Sequence, residues 1–75
     1  MNWAEVLQAY PEQWVLVEVL AAHDEDHQRV LDQVNVVETC ANGAGVWQAY
    51  DRWHAAHPQR EFYFAYTGRT LPSAR

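Results

Sequence analysis

The segment WVLVEVLAA, residues 14–22, constrains the fold of this chain more than any other stretch. One set of alternate side chains in the segment begins with three valines, and the other is mostly large and apolar. The two sets are Val15, Val17 and Val19 and, opposite them, Trp14, Leu16, Glu18 and Leu20. Valine favours strands, and a strand that is apolar on both sides must be covered on both. The segment therefore predicts a central β-strand.

Two elements are predicted beside this strand in the N-terminal half. Apolar residues recur at helical spacing between Asn2, a capping residue, and Pro11, which ends a short helix. Residues 23–27 are predicted as the exposed loop of a hairpin, because three adjacent carboxylates do not pack in a core. Residues 28–39 are predicted as the second strand, with a bulge or break near residues 32–33 that reconciles an irregular apolar pattern.

The C-terminal half is predicted to contain a longer helix and a third strand. The glycine-rich residues 41–45 form a break, and residues 46–57 then have helical apolar spacing until a proline stops the helix. The aromatic content of residues 60–67 predicts a strand. Residues 1–68 are expected to form a single domain, and residues 69–75 a C-terminal tail.

This order predicts an α+β fold of the form α-β-β-α-β. A hairpin and a helical crossover give a three-stranded, mainly antiparallel sheet of order 2-1-3, packed by one long and one short helix. We expect the long helix to cover the face of Val15 together with Phe62 and Phe64. The short helix is then left with the opposite face, whose residues are Trp14, Leu16, Leu20 and Tyr63.

Composition narrows the classes of function. Ten carboxylates, five arginines and no lysine give a net charge of −5, which disfavours nucleic-acid binding and is more compatible with a basic partner. No run reaches the roughly 20 apolar residues that a membrane span needs. A single cysteine, Cys40, allows no intrachain disulfide. We expect a soluble, cytoplasmic protein that binds neither nucleic acid nor membrane and needs no cofactor.

Three stretches carry a resemblance to a known group of proteins. They read YPEQWVLVE (residues 10–18), RVLD (residues 29–32) and REFYFAYTG (residues 60–68). They resemble the "YPxxWVL" opening and "YFxHTG"-like closing strand of small uncharacterised bacterial proteins common in cyanobacteria, with Tyr66 in place of the histidine. Members of that group are often encoded beside a small retropepsin-like aspartic protease gene. The resemblance implies an antitoxin-like member of a two-gene module, with a protein partner from the neighbouring gene.

The histidines are weak candidates for a metal site. His23 and His27 flank an acidic run that includes Asp24, and His54 and His57 are one helical turn apart. Imidazole and carboxylate groups bind metal ions, but an acidic loop fixes no ligand geometry, and solvated polar residues are the preferred interpretation. No metal site is predicted, although a small metal-dependent or hydrolase-like enzyme would have to use these groups.

Two other features have a chemical interpretation and a structural one. Cys40 precedes a helix N-terminus, where a thiolate nucleophile is favoured. It shares parity with Val34 and Val36, however, so a small buried hydrophobic residue is the preferred interpretation. Residues 42–45, NGAG, lack the lysine and the spacing of a phosphate-binding loop, which favours a plain loop.

Glu18 is the most informative charge, because an unpaired carboxylate buried midway along a central strand is costly. Arg29 and Arg60 are the candidate partners. Two interpretations stay open: a rim position on the wetter sheet face, or a position within an interface. The candidate interface residues are Trp14, Leu16, Glu18, Leu20 and Tyr63.

These observations leave three hypotheses of function. The first is a non-enzymatic interaction module, a homodimer that uses a sheet face or an edge strand to bind a second protein. The second is the small enzyme described above, which requires the histidines to converge in space. The third is a binding site for a small apolar ligand between the aromatic sheet face and the first helix.

Overall fold

A computed structural model describes residues 1–68. Its elements are α1 (Trp3–Ala9), β1 (Trp14–Glu25), β2 (Gln28–Cys40), α2 (Gly43–Ala56) and β3 (Phe62–Tyr66). The strands form one antiparallel sheet in the order β2-β1-β3. This confirms the predicted fold class, the order of the elements and the central position of the first strand. The predicted tail lies outside the described residues.

A capping box begins α1. The Asn2 side-chain oxygen accepts a hydrogen bond from the Glu5 backbone N–H at 2.8 Å, and the Glu5 carboxylate accepts one from the Asn2 N–H at 2.8 Å. These bonds satisfy N–H groups that the start of a helix leaves unpaired. The helix ends before Pro11, and Glu12 takes a positive φ of 55° in the turn to β1. The predicted short helix is confirmed.

The hairpin of β1 and β2 has a tighter turn than predicted. Glu25 pairs with Gln28, and Asp26 and His27 between them have φ values of 51° and 65°. Two successive positive φ values are typical of the type I′ turn, whose twist matches that of the strands. The hairpin and the exposure of residues 23–27 are confirmed. The prediction of a five-residue loop is wrong, because three of these residues extend β1.

Three irregularities interrupt the pairing of β1 with β2. The extra residues are Leu20 in β1 and Asp32 and Val37 in β2. The one at Asp32 confirms the predicted bulge. Each extra residue bends its strand and increases the local twist. The pairing of β1 with β3, in contrast, runs without a break from Trp14 opposite Tyr66 to Glu18 opposite Phe62.

Each face of the sheet has its own buried cluster. One contains Val6, Val15, Val17 and Val34, and the other contains Leu16, Val46, Ala49 and Phe62. The first cluster lies under α1 and the second under α2. The prediction that the long helix covers the valine face is therefore wrong, since the short helix covers it.

The strand register explains this difference. Phe62 lies opposite Glu18 and Tyr63 opposite Val17, so Phe62 and Phe64 project to the α2 side and Tyr63 to the α1 side. A shift of one residue moves every side chain of a strand to the other face. Because β1 is apolar on both faces, its sequence pattern does not show whether Phe62 lies opposite Glu18 or opposite Val17.

The N-terminus of α2 begins earlier than predicted. The helix starts at Gly43, and the Asn42 side chain caps it by accepting a hydrogen bond from the Gly45 N–H at 2.7 Å. Neither glycine has a positive φ. A Cβ atom on Gly43 would lie 3.4 Å from Cζ2 of Trp14, which is an ordinary van der Waals contact, so the start of the helix packs against that ring. The predicted glycine-rich break is therefore mostly the first helical turn.

Candidate interaction surface

The five residues predicted to form an interface do not share one surface. Leu16 is fully buried, so it belongs to the core. Trp14 and Glu18 lie on the α2 side of the sheet, whereas Tyr63 lies on the α1 side. Leu20 is 59% exposed, but it lies at a bulge beyond the residues of β1 that pair with β3. The structure therefore separates these residues.

Glu18 has the ionic partner that its position requires. Its Oε2 atom lies 3.6 Å from Nε of Arg60, and only 18% of its side chain is exposed. The pairing with Arg60 confirms one of the two predicted partners. Arg29 instead contacts Glu61, at 2.7 Å between Nη2 and Oε1.

The backbone of β3 presents an outer edge whose orientation follows from two hydrogen bonds. The Val19 N–H donates to the Glu61 carbonyl at 2.9 Å, and the Thr67 N–H donates to the Gln13 carbonyl at 2.8 Å. In an antiparallel pair, alternate residues direct both backbone groups to the same neighbour. The odd-numbered positions of β3 thus face β1. The residues that point outward are Phe62, Phe64 and Tyr66.

This outer edge has neither cover nor protection within the described residues. Across residues 1–68, no hydrogen bond reaches the outward N–H and C=O groups of β3. The strand reads FYFAY, which contains no charge and no proline, and it pairs with β1 without a bulge. Charges, prolines and bulges are the usual protection of edge strands. An edge that lacks them is a template for another strand.

Aromatic side chains flank the outer edge on both faces of the sheet. On the α2 side, Trp47 is 53% exposed and its ring contacts Phe64 edge to face, with centroids 5.6 Å apart. On the α1 side, Tyr63 is 48% exposed. A strand added to β3 would bury parts of both exposed rings. We refer to the outer edge of β3 together with Trp47 and Tyr63 as the β3 edge surface.

Two features of the sequence indicated part of the β3 edge surface. Trp47 lies at the border of the apolar face of α2, and residues 62–66 are uncharged. The sequence did not show which edge of β3 is left unpaired, because the unpaired edge depends on strand order and register together.

The histidines lie in separate environments. Nδ1 of His23 is 2.6 Å from Oδ2 of Asp32, and His27 lies in the hairpin turn. On α2, His54 and His57 each stack on an aromatic ring of the same helix. Within residues 1–68, no three His, Cys, Asp or Glu side chains are placed to hold a metal ion. The described geometry therefore does not bring together the ligands that a metal site would need.

Cys40 is half-buried against the cluster under α2, as its parity predicted. Burial raises the pKa of its thiol, and the negative charge of Glu38 raises it further. The thiol is therefore protonated at neutral pH, and a protonated thiol is a poor nucleophile.

A polar contact that the sequence did not reveal joins β2 to α2. Oε1 of Glu38 accepts hydrogen bonds from Nε1 of Trp53 at 2.9 Å and from Nη2 of Arg52 at 2.6 Å. The Trp53 bond, followed by the Arg52 bond, lowers the pKa of Glu38. The partners are more than a dozen positions away, so no local spacing marked this residue.

Comparison with known proteins gave no match to a family model, to a curated protein or to a solved structure. The resemblance to small bacterial proteins therefore stays a prediction. Among the described residues, no helix has the length and apolar character needed to cross a membrane. The geometry of the β3 edge surface is what bears on function.

Proposed function

We propose that the protein is a non-enzymatic interaction module that self-associates by pairing the β3 edges of two copies. The observation that supports this is a regular, uncharged strand edge without a hydrogen-bonding partner in residues 1–68, flanked by exposed aromatic rings. Strand addition satisfies the outward backbone groups and removes apolar surface from water in one step.

The edge is complementary to itself. In an antiparallel pair centred on Phe64, this residue faces Phe64 of the second copy, and Phe62 faces Tyr66. These are the three outward-pointing residues, so each finds a hydrogen-bonding partner of the same kind in the second copy. The two three-stranded sheets then join into one.

The local charge also suits a second copy. The chain carries a net charge of −5, which would oppose contact between two copies at most surfaces. Residues 62–66 carry no charge, so this repulsion is weakest at the β3 edge. On the α2 side the carboxylate of Glu18, which lies opposite Phe62, is already paired with Arg60.

The test measures mass by light scattering over a concentration series, and we expect a shift from monomer to dimer. Trp47→Glu places two like charges across the contact and is expected to raise the dimer dissociation constant roughly a hundredfold or more. Leu20→Glu is the matched control, because it adds the same charge at an exposed apolar residue away from β3. Circular dichroism checks that both variants are folded.

Several outcomes would contradict self-association at this edge. One is a monomer at every concentration, and another is a dimer that resists Trp47→Glu or dissociates with Leu20→Glu. If a chain that ends at Gly68 dimerises and the full chain does not, residues 69–75 are the natural occupant of the edge. If the product of a neighbouring gene displaces the second copy, the edge belongs to that partner, as the resemblance implies.

A further inference from the structure

A cavity of about 410 Å³ lies between α1 and the sheet, on the face opposite α2. Its volume falls in the range of about 300–1,000 Å³ that is typical of small-molecule sites. The lining residues are Trp3, Arg29, Val30, Leu31, Glu61 and Tyr63. The cavity thus combines aromatic, aliphatic and charged side chains.

Trp3 and Tyr63 form an aromatic corner in this cavity. Their ring centroids are 6.2 Å apart and their planes meet at 76°, so the two rings are nearly perpendicular. The faces of aromatic rings carry negative partial charge. A cation within about 6 Å of both ring centroids is attracted to both.

The ionic groups at the rim add to this preference. Arg29 donates to the Glu61 carboxylate through Nε at 3.2 Å and through Nη2 at 2.7 Å, and its Nη1 atom lies 3.5 Å from Oδ1 of Asp24. One guanidinium therefore contacts two carboxylates, that of Glu61 in the lining and that of Asp24 next to it, which leaves one excess negative charge among these three groups. This excess attracts a cation and repels an anion.

We infer that this cavity binds a small organic ammonium ion. The cationic head lies in the corner of Trp3 and Tyr63, near the rim carboxylates. The apolar part of the ligand contacts Leu31, which packs against the cluster under α1. The site does not require self-association, because every lining residue comes from one copy of the chain, although Tyr63 also flanks the β3 edge.

The experiment is an NMR titration of the folded protein with choline and, separately, with 3,3-dimethylbutan-1-ol, its uncharged isostere. We expect saturable shifts of the Trp3 indole N–H and the Tyr63 amide with choline. The neutral isostere is expected to bind about tenfold more weakly, since it lacks the cation–π and ionic attraction. Equal binding of the two compounds, or no saturable shift with choline, would overturn the inference.

Two variants locate the site. Tyr63→Leu keeps apolar bulk but removes the ring, and it is expected to weaken choline about tenfold while leaving the isostere unchanged. Tyr66→Leu is the matched control, the same change at a tyrosine that contacts Trp14 on the other sheet face. A loss of choline binding in the control, or none in Tyr63→Leu, contradicts the assignment.

Repeating the titration with Trp47→Glu separates the two proposals. Trp47 does not line the cavity, and loss of self-association leaves Tyr63 accessible, so a folded Trp47→Glu variant is expected to bind choline at least as tightly as the unaltered protein. Loss of choline binding in a folded Trp47→Glu variant would contradict a site contained in one copy.

Discussion

The two edges of the sheet are built differently. On β2, the extra residues Asp32 and Val37 break the register, and the outward N–H and C=O groups of Val34 are bonded to the backbone of Met1 at 2.7 and 2.9 Å. The β3 edge is regular, aromatic and, within residues 1–68, uncovered. Bulges and charges prevent unwanted strand addition. Within residues 1–68, β2 has these features and β3 lacks them, so the β3 edge is the better template for a further strand.

The two edge strands also differ in the type of contact that joins each of them to α2. β2 is joined to α2 by a polar contact, in which Glu38 accepts hydrogen bonds from Trp53 and Arg52. β3 is held on the same side by aromatic contacts, such as that of Phe64 with Trp47. A change of charge or pH is therefore expected to act mainly on β2, and a change of protein concentration mainly on β3.

Hydrogen exchange should show the largest difference between the edges. The Phe64 amide points outward from β3, and self-association is expected to slow its exchange about a hundredfold or more, because exchange then requires dissociation. The Val34 amide is already bonded to Met1, so its rate should not depend on concentration. NMR exchange rates at two protein concentrations measure both.

The Tyr63 amide is the internal control for this experiment. It faces β1 and is expected to be protected at every concentration. If the Phe64 amide exchanged rapidly at all concentrations, the β3 edge would be open in solution and the proposed pairing would be wrong. If the Val34 amide became protected only at high concentration, β2 would be the pairing edge.

The sequence predicted the architecture because its strongest signals are local. Each of these signals is visible within a short stretch of the sequence. They are a strand that is apolar on both sides, a capping residue before α1 and a proline after each helix. The bulge at Asp32 was also visible, as an apolar pattern that failed to alternate. Local signals of this kind determine the elements and, through the rules of chain connection, their order.

The assignment of helices to faces was beyond the sequence, because it depends on register. Phe62 pairs with Glu18 rather than with Val17, and β1 accepts either arrangement. The contact of Glu38 with Trp53 was missed for a related reason: its partners meet only after the sheet and α2 have packed. Four of the five candidate interface residues were selected from the central strand, and only Tyr63 lies on β3, whose outer edge is unpaired within residues 1–68.

A moderate effect is expected when the polar contact of β2 is removed. In Glu38→Gln, the free energy of unfolding at neutral pH should fall by about 1 kcal/mol, because charge-assisted hydrogen bonds are lost. The effect is no larger because the Glu38 side chain is partly exposed to solvent. Because folding lowers the pKa of Glu38, its stabilising effect is present above the ordinary value of 4.5 and is lost as the pH falls through the lower folded value. Urea unfolding at neutral pH and below pH 4.5 measures this.

The matched control is Glu25→Gln at the hairpin end, where this glutamate makes no side-chain hydrogen bond within the described residues. Its stability should change little. The dimer dissociation constant of Glu38→Gln should equal that of the unaltered protein. A shift in that constant would show that the two edges are coupled through α2.

The smallest effect is expected at Cys40, at the end of β2. Burial and the charge of Glu38 raise the pKa of its thiol, so less thiolate is present near neutral pH and alkylation should be several-fold slower than for free cysteine. The rate with iodoacetamide, compared with that of the chain unfolded in urea, measures this protection. Glu38→Gln removes the smaller cause and should restore a minor part of the rate. A folded protein that reacts as fast as the unfolded chain would mean that this end of β2 opens readily, and the contrast between a covered and an open edge would fail there.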